Sequence, residues 1–285
     1  MKKLIKTLTI TGGICAGLGL IFLIIGLILG GGTIDFSDAM SVQGSDVSSL
    51  IHKLTPIDSE YRDDDIENLD SERWECTSAS GIKNLQIEMD AGYLEIKQYE
   101  GREIQVYIQQ NDRKTKIEQE GDELDITRDG IQWLDRKGKA IKILVPKNHI
   151  FNEIDLELKA VDGVIDSLKA NELTVSANAA SLEITDEIQT KTCEWTANAA
   201  EIEIQKLMSR ETDLDCSAGS IRVTMEGDIS DYYLEGKVSA GSLEYAHQEW
   251  DGFDDTFCQG EEDAKNRIEA KCAAGDITID FTKYE

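Results

Sequence analysis

The chain has 285 residues, of which 40% are apolar and 30% are charged, and its net charge at neutral pH is −27. This length is enough for one large domain or two small ones. An acidic excess of this size repels nucleic acid, and the sequence has no basic stripe, so we exclude direct nucleic-acid binding.

Residues 1–34 predict a cytoplasmic stub and a transmembrane anchor. The run 7–34 holds 28 uncharged residues rich in Leu, Ile and Gly, and three lysines precede it. About 20 apolar residues span a bilayer, whereas the apolar part of a secretion signal usually has about 7–15. The lysines favour an N-terminus in the cytoplasm and a C-terminal domain outside the cell. We therefore expect a single-pass protein of the cell membrane, with a cleaved signal as the alternative.

Glycines recur four residues apart within this segment. The pairs are Gly13 with Gly17 and Gly26 with Gly30. That spacing permits close contact between membrane helices, although glycine is common in such helices anyway. Self-association through these glycines is an expectation that the sequence allows.

Residues 35–75 predict an acidic juxtamembrane spacer. They show little periodicity and include the run DDD at 63–65. Because the first 34 residues contain three lysines and no acid, the net charge of −27 becomes −30 for the rest of the chain. A charge of this size keeps an exposed domain soluble, and it also permits attraction to basic surfaces.

A short motif returns along residues 76–285. Its copies are MDAGYLEI (89–96), AVDGVIDS (160–167), SANAASLEI (176–184), TANAAEIEI (196–204), CSAGSIRV (216–223), VSAGSLEY (238–245) and CAAGDITI (272–279). The small central residues, which we call markers, are Gly92, Gly163, Ala180, Ala200, Gly219, Gly241 and Gly275. From Gly163 onward the steps between markers are 17, 20, 19, 22 and 34 residues. Self-similarity with a period near 20 and strand-like residues is typical of a stacked β architecture.

Apolar residues alternate on both sides of each marker, but in opposite phase. Around Ala180, for example, they are Val175 and Ala177 before the marker and Leu182 and Ile184 after it. Strand side chains alternate faces with a period of two, so one repeat predicts a strand, a tight corner of small residues and a second strand. The fold class predicted is an all-β β-solenoid, with Ala177, Ala197, Cys216 and Cys272 in one interior file.

A β-sandwich of short antiparallel strands is the competing fold. Residues 92–163 favour it locally, because they contain three apolar runs (103–108, 123–127 and 139–146) but no clear marker. We therefore expect antiparallel or irregular strands there, followed by solenoid coils from about residue 154.

Five cysteines follow the membrane segment, an odd number that argues against a fully paired disulfide framework. Cys216 and Cys272 share the inward slot of the repeat. They are expected to lie two coils apart, at roughly 9–10 Å, which exceeds disulfide reach. We interpret them as small core residues. The sequence contains no CxxC pair, so it does not suggest a zinc site.

The long step before Gly275 predicts a loop insertion at 247–266 that projects from one corner. Insertions in repeat folds often form a binding face. Its candidate interaction residues are Trp250, Phe253, Asp254, Asp255 and Phe257. The stretch DGFDD resembles a calcium loop in composition only, since it lacks the spacing of an EF-hand, and no metal site is predicted.

The sequence shows no catalytic signature. Its three histidines, His52, His149 and His247, lie in separate segments, and there is no nucleophile elbow, P-loop or GxGxxG motif. We predict no enzymatic activity and no cofactor. A row of polar residues beside the corner is explained by bonds to the backbone or between coils. It consists of Asp90, Asn178, Asn198, Ser217 and Ser239.

The returning AGYLEI, AGSIRV, AGSLEY and AGDITI motifs, the stretch IKILVP at 141–146 and the N-terminal apolar segment together resemble the DUF4097 family of bacterial "putative adhesins", which is related to GIN head domains. The resemblance covers about residues 76–285. It implies a β-helix-like extracytoplasmic domain that is found mostly in Gram-positive bacteria. It also implies the company of envelope-stress or PadR-type regulators, and it supplies no catalytic residues.

The function predicted is that of a membrane-anchored, non-enzymatic, adhesin-like interaction module of the bacterial cell surface. Its partner would be a protein or another cell-envelope component, bound through a flat strand face or the 247–266 loop. The alternative is an accessory protein of the envelope-stress response that contacts a membrane partner through its glycine-rich helix.

Overall fold

The computed structural model describes residues 73–130, 140–251 and 255–283. The predicted membrane anchor, its glycine pairs and nearly all of the predicted spacer lie outside these residues. No helix in the described part is long and apolar enough to cross a membrane. Eighteen strands within these ranges join into one sheet. The strands are β1 (Trp74–Ala79), β2 (Asn84–Tyr99), β3 (Ile104–Gln109), β4 (Thr115–Glu120), β5 (Glu123–Arg128), β6 (Ala140–Pro146), β7 (Phe151–Ile165), β8 (Leu168–Asn178), β9 (Ser181–Ile184), β10 (Ile188–Gln189), β11 (Thr192–Met208), β12 (Glu211–Asp228), β13 (Tyr232–Val238), β14 (Ser242–Tyr245), β15 (Gln248–Asp251), β16 (Asp255–Gln259), β17 (Asn266–Cys272) and β18 (Asp276–Lys283).

Parallel coils of chain stack in register, as a β-solenoid requires. We call one coil a rung: it consists of a strand before the corner and a strand after it, and the two merge where the chain continues through the corner without a break. The rungs in spatial order are β5 with β6, then β2, β7, β8 with β9, β11, β12, β17 with β18, and β13 with β14. The solenoid prediction is therefore confirmed over the sandwich.

The predicted interior file is present. Ala177 is in register with Ala197, Ala197 with Cys216, and Cys216 with Cys272. All four are at most 1% exposed. Each side chain in this file shelters its neighbours on both sides, and burial of stacked apolar rows of this kind is the main source of stability in such a fold.

Small residues make the corners, as the change of apolar phase predicts. Ala179 and Ala199 have φ values of 51° and 52°, and Gly219 has 126°. At Gly219 a Cβ atom would lie 2.0 Å from the backbone oxygen of Ala200, so only glycine fits there. The polar row beside the corner does ladder between rungs: Asn198 Nδ2 donates to Asn178 Oδ1 at 3.0 Å.

One marker was misplaced in the sequence pattern. Gly163 is in register with Leu94 and Leu182, two positions beyond the corner, while Val161 is in register with Gly92. Gly163 therefore occupies an inward position. A Cβ there would lie 2.9 Å from Leu182 Cδ1, so a larger residue would require the Leu182 side chain to move.

The order of the rungs departs from the order of the chain at both ends. The last rung in sequence, β17 with β18, inserts between β12 and the rung of β13 with β14. The prediction that Cys216 and Cys272 lie two rungs apart is therefore wrong, because they are direct neighbours in register. At the other end β2 lies between β7 and an additional rung of β5 with β6.

Antiparallel strands cover both end rungs. β4 pairs with β5, β3 pairs with β6, and β1 pairs with β3 at one end. At the other end β16 pairs with β13 and β15 pairs with β14. The expectation of antiparallel strands within 92–163 is thus confirmed for β3 and β4. It holds only in part for β5 and β6, which are antiparallel to β4 and β3 but parallel to β2.

Candidate interaction surface

The predicted interaction loop closes the end of the solenoid. The rings of Trp250 and Phe257 stack with centroids 4.1 Å apart and an interplanar angle of 10°, and both pack against the core. Phe257 lies opposite Gly236, where an added Cβ would come within 2.4 Å of the phenyl ring. Asp255 is exposed on β16, and Phe253 and Asp254 lie outside the described residues. The insertion is a pair of capping strands rather than a projecting corner loop.

A row of carboxylates crosses the outer face of the strands that precede the corner. Glu194, Asp213, Glu269 and Glu235 are in register on β11, β12, β17 and β13. Neighbouring strands lie about 4.8 Å apart, so each acid faces another acid at close range. We call these four residues the acidic ladder.

Basic residues compensate only one part of the acidic ladder. Arg267 Nη2 lies 2.6 Å from Glu235 Oε2, and Lys271 Nζ lies 2.6 Å from Glu269 Oε1. Glu194 and Asp213 form no salt bridge with any residue that the structure describes. Like charges directly opposite each other destabilise a sheet, so this half of the ladder carries a repulsion that the nearby Lys271 offsets only in part at Asp213.

An open groove of about 370 Å³ lies along the acidic ladder. Two further acids, Glu172 and Glu211, line it together with Thr192 and Arg267. Thr212 and Cys193 form its buried floor, where the Cys193 thiol donates to Thr212 Oγ1 at 3.6 Å. The groove is flat and polar, which suits a charged surface better than a small apolar ligand.

The pKa values of two aspartates, Asp213 and Asp90, are shifted in opposite directions. The pKa of Asp213 is raised, first because packing around it partly desolvates the carboxylate and next because Glu269 adds negative charge. The pKa of Asp90 is lowered, first by the hydrogen bond that Lys159 donates to it at 2.9 Å and next by the bond from the Gly130 backbone. The acidic ladder is therefore strained electrostatically, whereas Asp90 is stabilised as an anion.

The outer face on the other side of the corner holds a buried ion pair that the sequence did not reveal. Lys142 is fully buried and its Nζ lies 3.1 Å from Glu95 Oε2, while the Trp74 ring centroid lies 5.5 Å from the same ammonium group. A buried charge needs such a partner, and this pair is closed to solvent. Its position suits a structural role.

The described residues show no constellation for catalysis. His149 is half-buried against Phe151 with ring centroids 4.3 Å apart, and burial lowers its pKa. His247 is exposed, 3.8 Å from Glu244, in a different rung. No group of three or more His, Cys, Asp and Glu side chains in the described part is arranged to hold a metal ion.

A simple sequence signal would have found the acidic ladder. Each of its members stands six residues before a marker: Glu194 before Ala200, Asp213 before Gly219, Glu269 before Gly275 and Glu235 before Gly241. An equal offset from the corner places side chains in one row, whatever the order of the rungs. Aligning the repeats on their markers therefore predicts the row.

The model of the Toastrack DUF4097 family matches residues 82–285. The chain belongs to the DUF4097 family. The match covers the whole solenoid apart from β1, and it agrees with the resemblance carried by the AG-containing motifs. A comparison with curated proteins found no match.

Several solved structures are similar to this DUF4097 chain at low identity. A "putative cell adhesion protein" from Clostridium sporogenes is 15% identical, with 74% of this chain and 99% of that chain covered and a TM-score of 0.37. A "putative adhesin" from Bacteroides fragilis is 14% identical over 73% of this chain and 98% of that one, with a TM-score of 0.33. A "putative lipid binding protein" from Parabacteroides distasonis is 12% identical over 75% and 98%, with a TM-score of 0.34.

Proposed function

We propose that this DUF4097 chain is a membrane-tethered, non-enzymatic cell-surface protein whose acidic ladder binds a positively charged partner. The observation that carries the proposal is the row of four carboxylates in register, of which Glu194 and Asp213 have no salt bridge within the described residues. A cationic partner would relieve their mutual repulsion. The partner would be a protein or an envelope component that presents amino or guanidinium groups.

The shape of the surface favours an array of cations over a single ion. Three steps of about 4.8 Å spread the acidic ladder over roughly 14 Å along a flat sheet. Glu172 and Glu211 widen this field on one side of the ladder. A row of basic side chains or a cationic polymer matches this spacing. Electrostatic complementarity of this kind accelerates association and makes it sensitive to salt.

Binding to polylysine at low ionic strength tests the proposal. The variant E194Q/D213N/E269Q neutralises three of the four ladder residues, and E118Q/E120Q/E183Q makes the same change of net charge on other surfaces. We expect the ladder variant to bind polylysine on the order of tenfold more weakly and with a smaller salt dependence, and the control variant to bind like the native chain. Equal weakening of both variants would mean that only overall charge matters, and the ladder would then lose its assigned role.

The membrane tether rests on the uncharged run 7–34 and on the lysines before it. Cys258 is exposed on β16 and Cys193 is buried, so a chain that retains only these two cysteines reports topology. We expect a membrane-impermeant maleimide to label Cys258 in intact cells and Cys193 only after denaturation. Labelling of Cys258 that requires cell lysis would place the solenoid inside the cell.

A further inference from the structure

Two buried cysteines meet at the junction where rung order departs from chain order. Cys216 on β12 is in register with Cys272 on β17, and the two residues are 0% and 1% exposed. Adjacent parallel strands bring paired Cα atoms to about 4.8 Å, within the range of about 4.4–6.8 Å found for disulfides. No other two cysteines among the described residues are partners in register.

The space around the two sulfurs is fitted to them. A Cβ atom at Gly275 would lie 2.6 Å from Cys216 Sγ, and one at Gly241 would lie 2.6 Å from Cys272 Sγ. The backbone oxygens of Gly219 and Gly275 are closer still to these two Cβ positions, at 2.5 and 2.1 Å, so backbone and sulfur together leave room only for glycine. The Cys272 thiol donates to the Gly275 backbone oxygen at 2.9 Å. Each thiol also influences the pKa of the other.

This junction holds one end of the solenoid. The rung of β13 with β14 pairs with β17 and β18, and the capping strands β15 and β16 pair only with that rung within the described residues. The whole end of the solenoid therefore depends on the docking of β17 and β18 onto β12. A bond between Cys216 and Cys272 would close a loop that contains β13 through β16.

We propose that Cys216 and Cys272 form a disulfide bond that fixes the inserted rung to β12. The proposal does not depend on the acidic ladder or on the location of the chain. Each thiol loses a proton and the pair loses two electrons as the S–S bond forms, while a low-molecular-weight disulfide is reduced to two thiols through a mixed disulfide. Closure requires the Cys272 side chain to turn about its Cα–Cβ bond toward β12.

The burial of both sulfurs determines when the bond forms. An attacking thiolate needs access to the oxidant, and native rungs deny that access. The bond therefore forms while β17 and β18 are undocked, during folding or during a local opening of this end. Oxidation is expected to be fast during refolding and slow in the folded reduced chain.

The test is refolding of the full-length chain in a buffer of oxidised and reduced glutathione. After alkylation under denaturing conditions, we expect four of the six cysteines to be alkylated and mass spectrometry to find one peptide pair that joins Cys216 to Cys272. The variants C216A and C272A should each lose this pair, and alanine fits because Ala177 and Ala197 occupy the same slot. The control C193A, whose neighbours in register are Leu173 and Thr212, should keep it.

The peptide map of the native chain decides the outcome even if a variant does not fold. Six alkylated cysteines in refolded chain with native circular dichroism would overturn the proposal. A disulfide that joins a different pair in such chain, such as Cys76 to Cys258, would overturn it as well.

Discussion

Truncation of Phe257 tests whether the 247–266 insertion closes the core. Phe257 is half-buried, stacks on Trp250 at 4.1 Å and covers Gly236. Replacing a fully buried Phe by Ala costs about 3–5 kcal/mol, so a half-buried ring that closes one end of the core should contribute about 2 kcal/mol. For a domain of roughly this size, that loss lowers the melting temperature by about 4–8 °C.

The measurement is urea and thermal unfolding of F257A followed by circular dichroism, with W250A and the double variant completing a cycle. The stacked pair should show a coupling energy of about 0.5–1.5 kcal/mol. Asp255 is exposed on the same strand, so D255A is the matched control and should change stability by less than about 0.5 kcal/mol. If F257A were no less stable than D255A, the Phe257 ring would not be needed to close the core. The 247–266 insertion would then again be a candidate interaction site.

The remaining predictions concern the corners and the charged faces. G219A should destabilise the fold by about 3 kcal/mol or more, because φ at Gly219 is 126° and the new Cβ would lie 2.0 Å from a backbone oxygen. A199G should be neutral or stabilise the fold by up to about 1 kcal/mol, because Ala199 already has a φ of 52°, which glycine adopts without strain. Denaturant unfolding measures both, and a loss of stability in A199G would contradict the geometry. The raised pKa of Asp213 means that the folded chain keeps a proton that the unfolded chain has lost, so stability falls as pH rises from the ordinary pKa of Asp to the folded value. D213N should therefore be more stable than the native chain at neutral pH and lose this advantage below about pH 3.9. The lowered pKa of Asp90 has the opposite sign: its stabilisation is present at neutral pH and disappears as pH falls through the folded value, so D90N should be less stable at neutral pH only.

The repeat pattern was sufficient to predict the rungs but not their order. A corner needs small residues and a change of apolar phase, and both are local properties of the sequence. The insertion of β17 and β18 beside β12 is not local, because Val238 and Cys272 both fit next to Cys216. Similar repeats make the two orders nearly equivalent in sequence, and the capping strands β15 and β16 occupy the edges of β14 and β13 that a further rung would need.

The additional rung of β5 and β6 was missed for a related reason. Its two strands are separated in sequence by residues 129–139, so the short spacing around a single small marker that defines the other repeats is absent there. Ile126 and Ile143 nevertheless fill the same inward positions as Ile87 and Ile96 of β2. The sequence showed the apolar alternation of these two strands, but it did not show that they pair with β2.

The position of the cap also changes how the two functional hypotheses can be separated. Deleting residues 247–266 would remove Trp250 and Phe257 from the core and expose the backbone edges of β13 and β14, so a loss of adhesion would report unfolding of that end. Neutralising the acidic ladder leaves every core contact in place and, by removing repulsion, should not weaken the fold. A ladder variant with unchanged stability and reduced attachment to cationic surfaces would support the adhesin-like role. Normal attachment in that variant, combined with a lost stress response when residues 7–34 are replaced by an unrelated membrane helix, would instead support the accessory role.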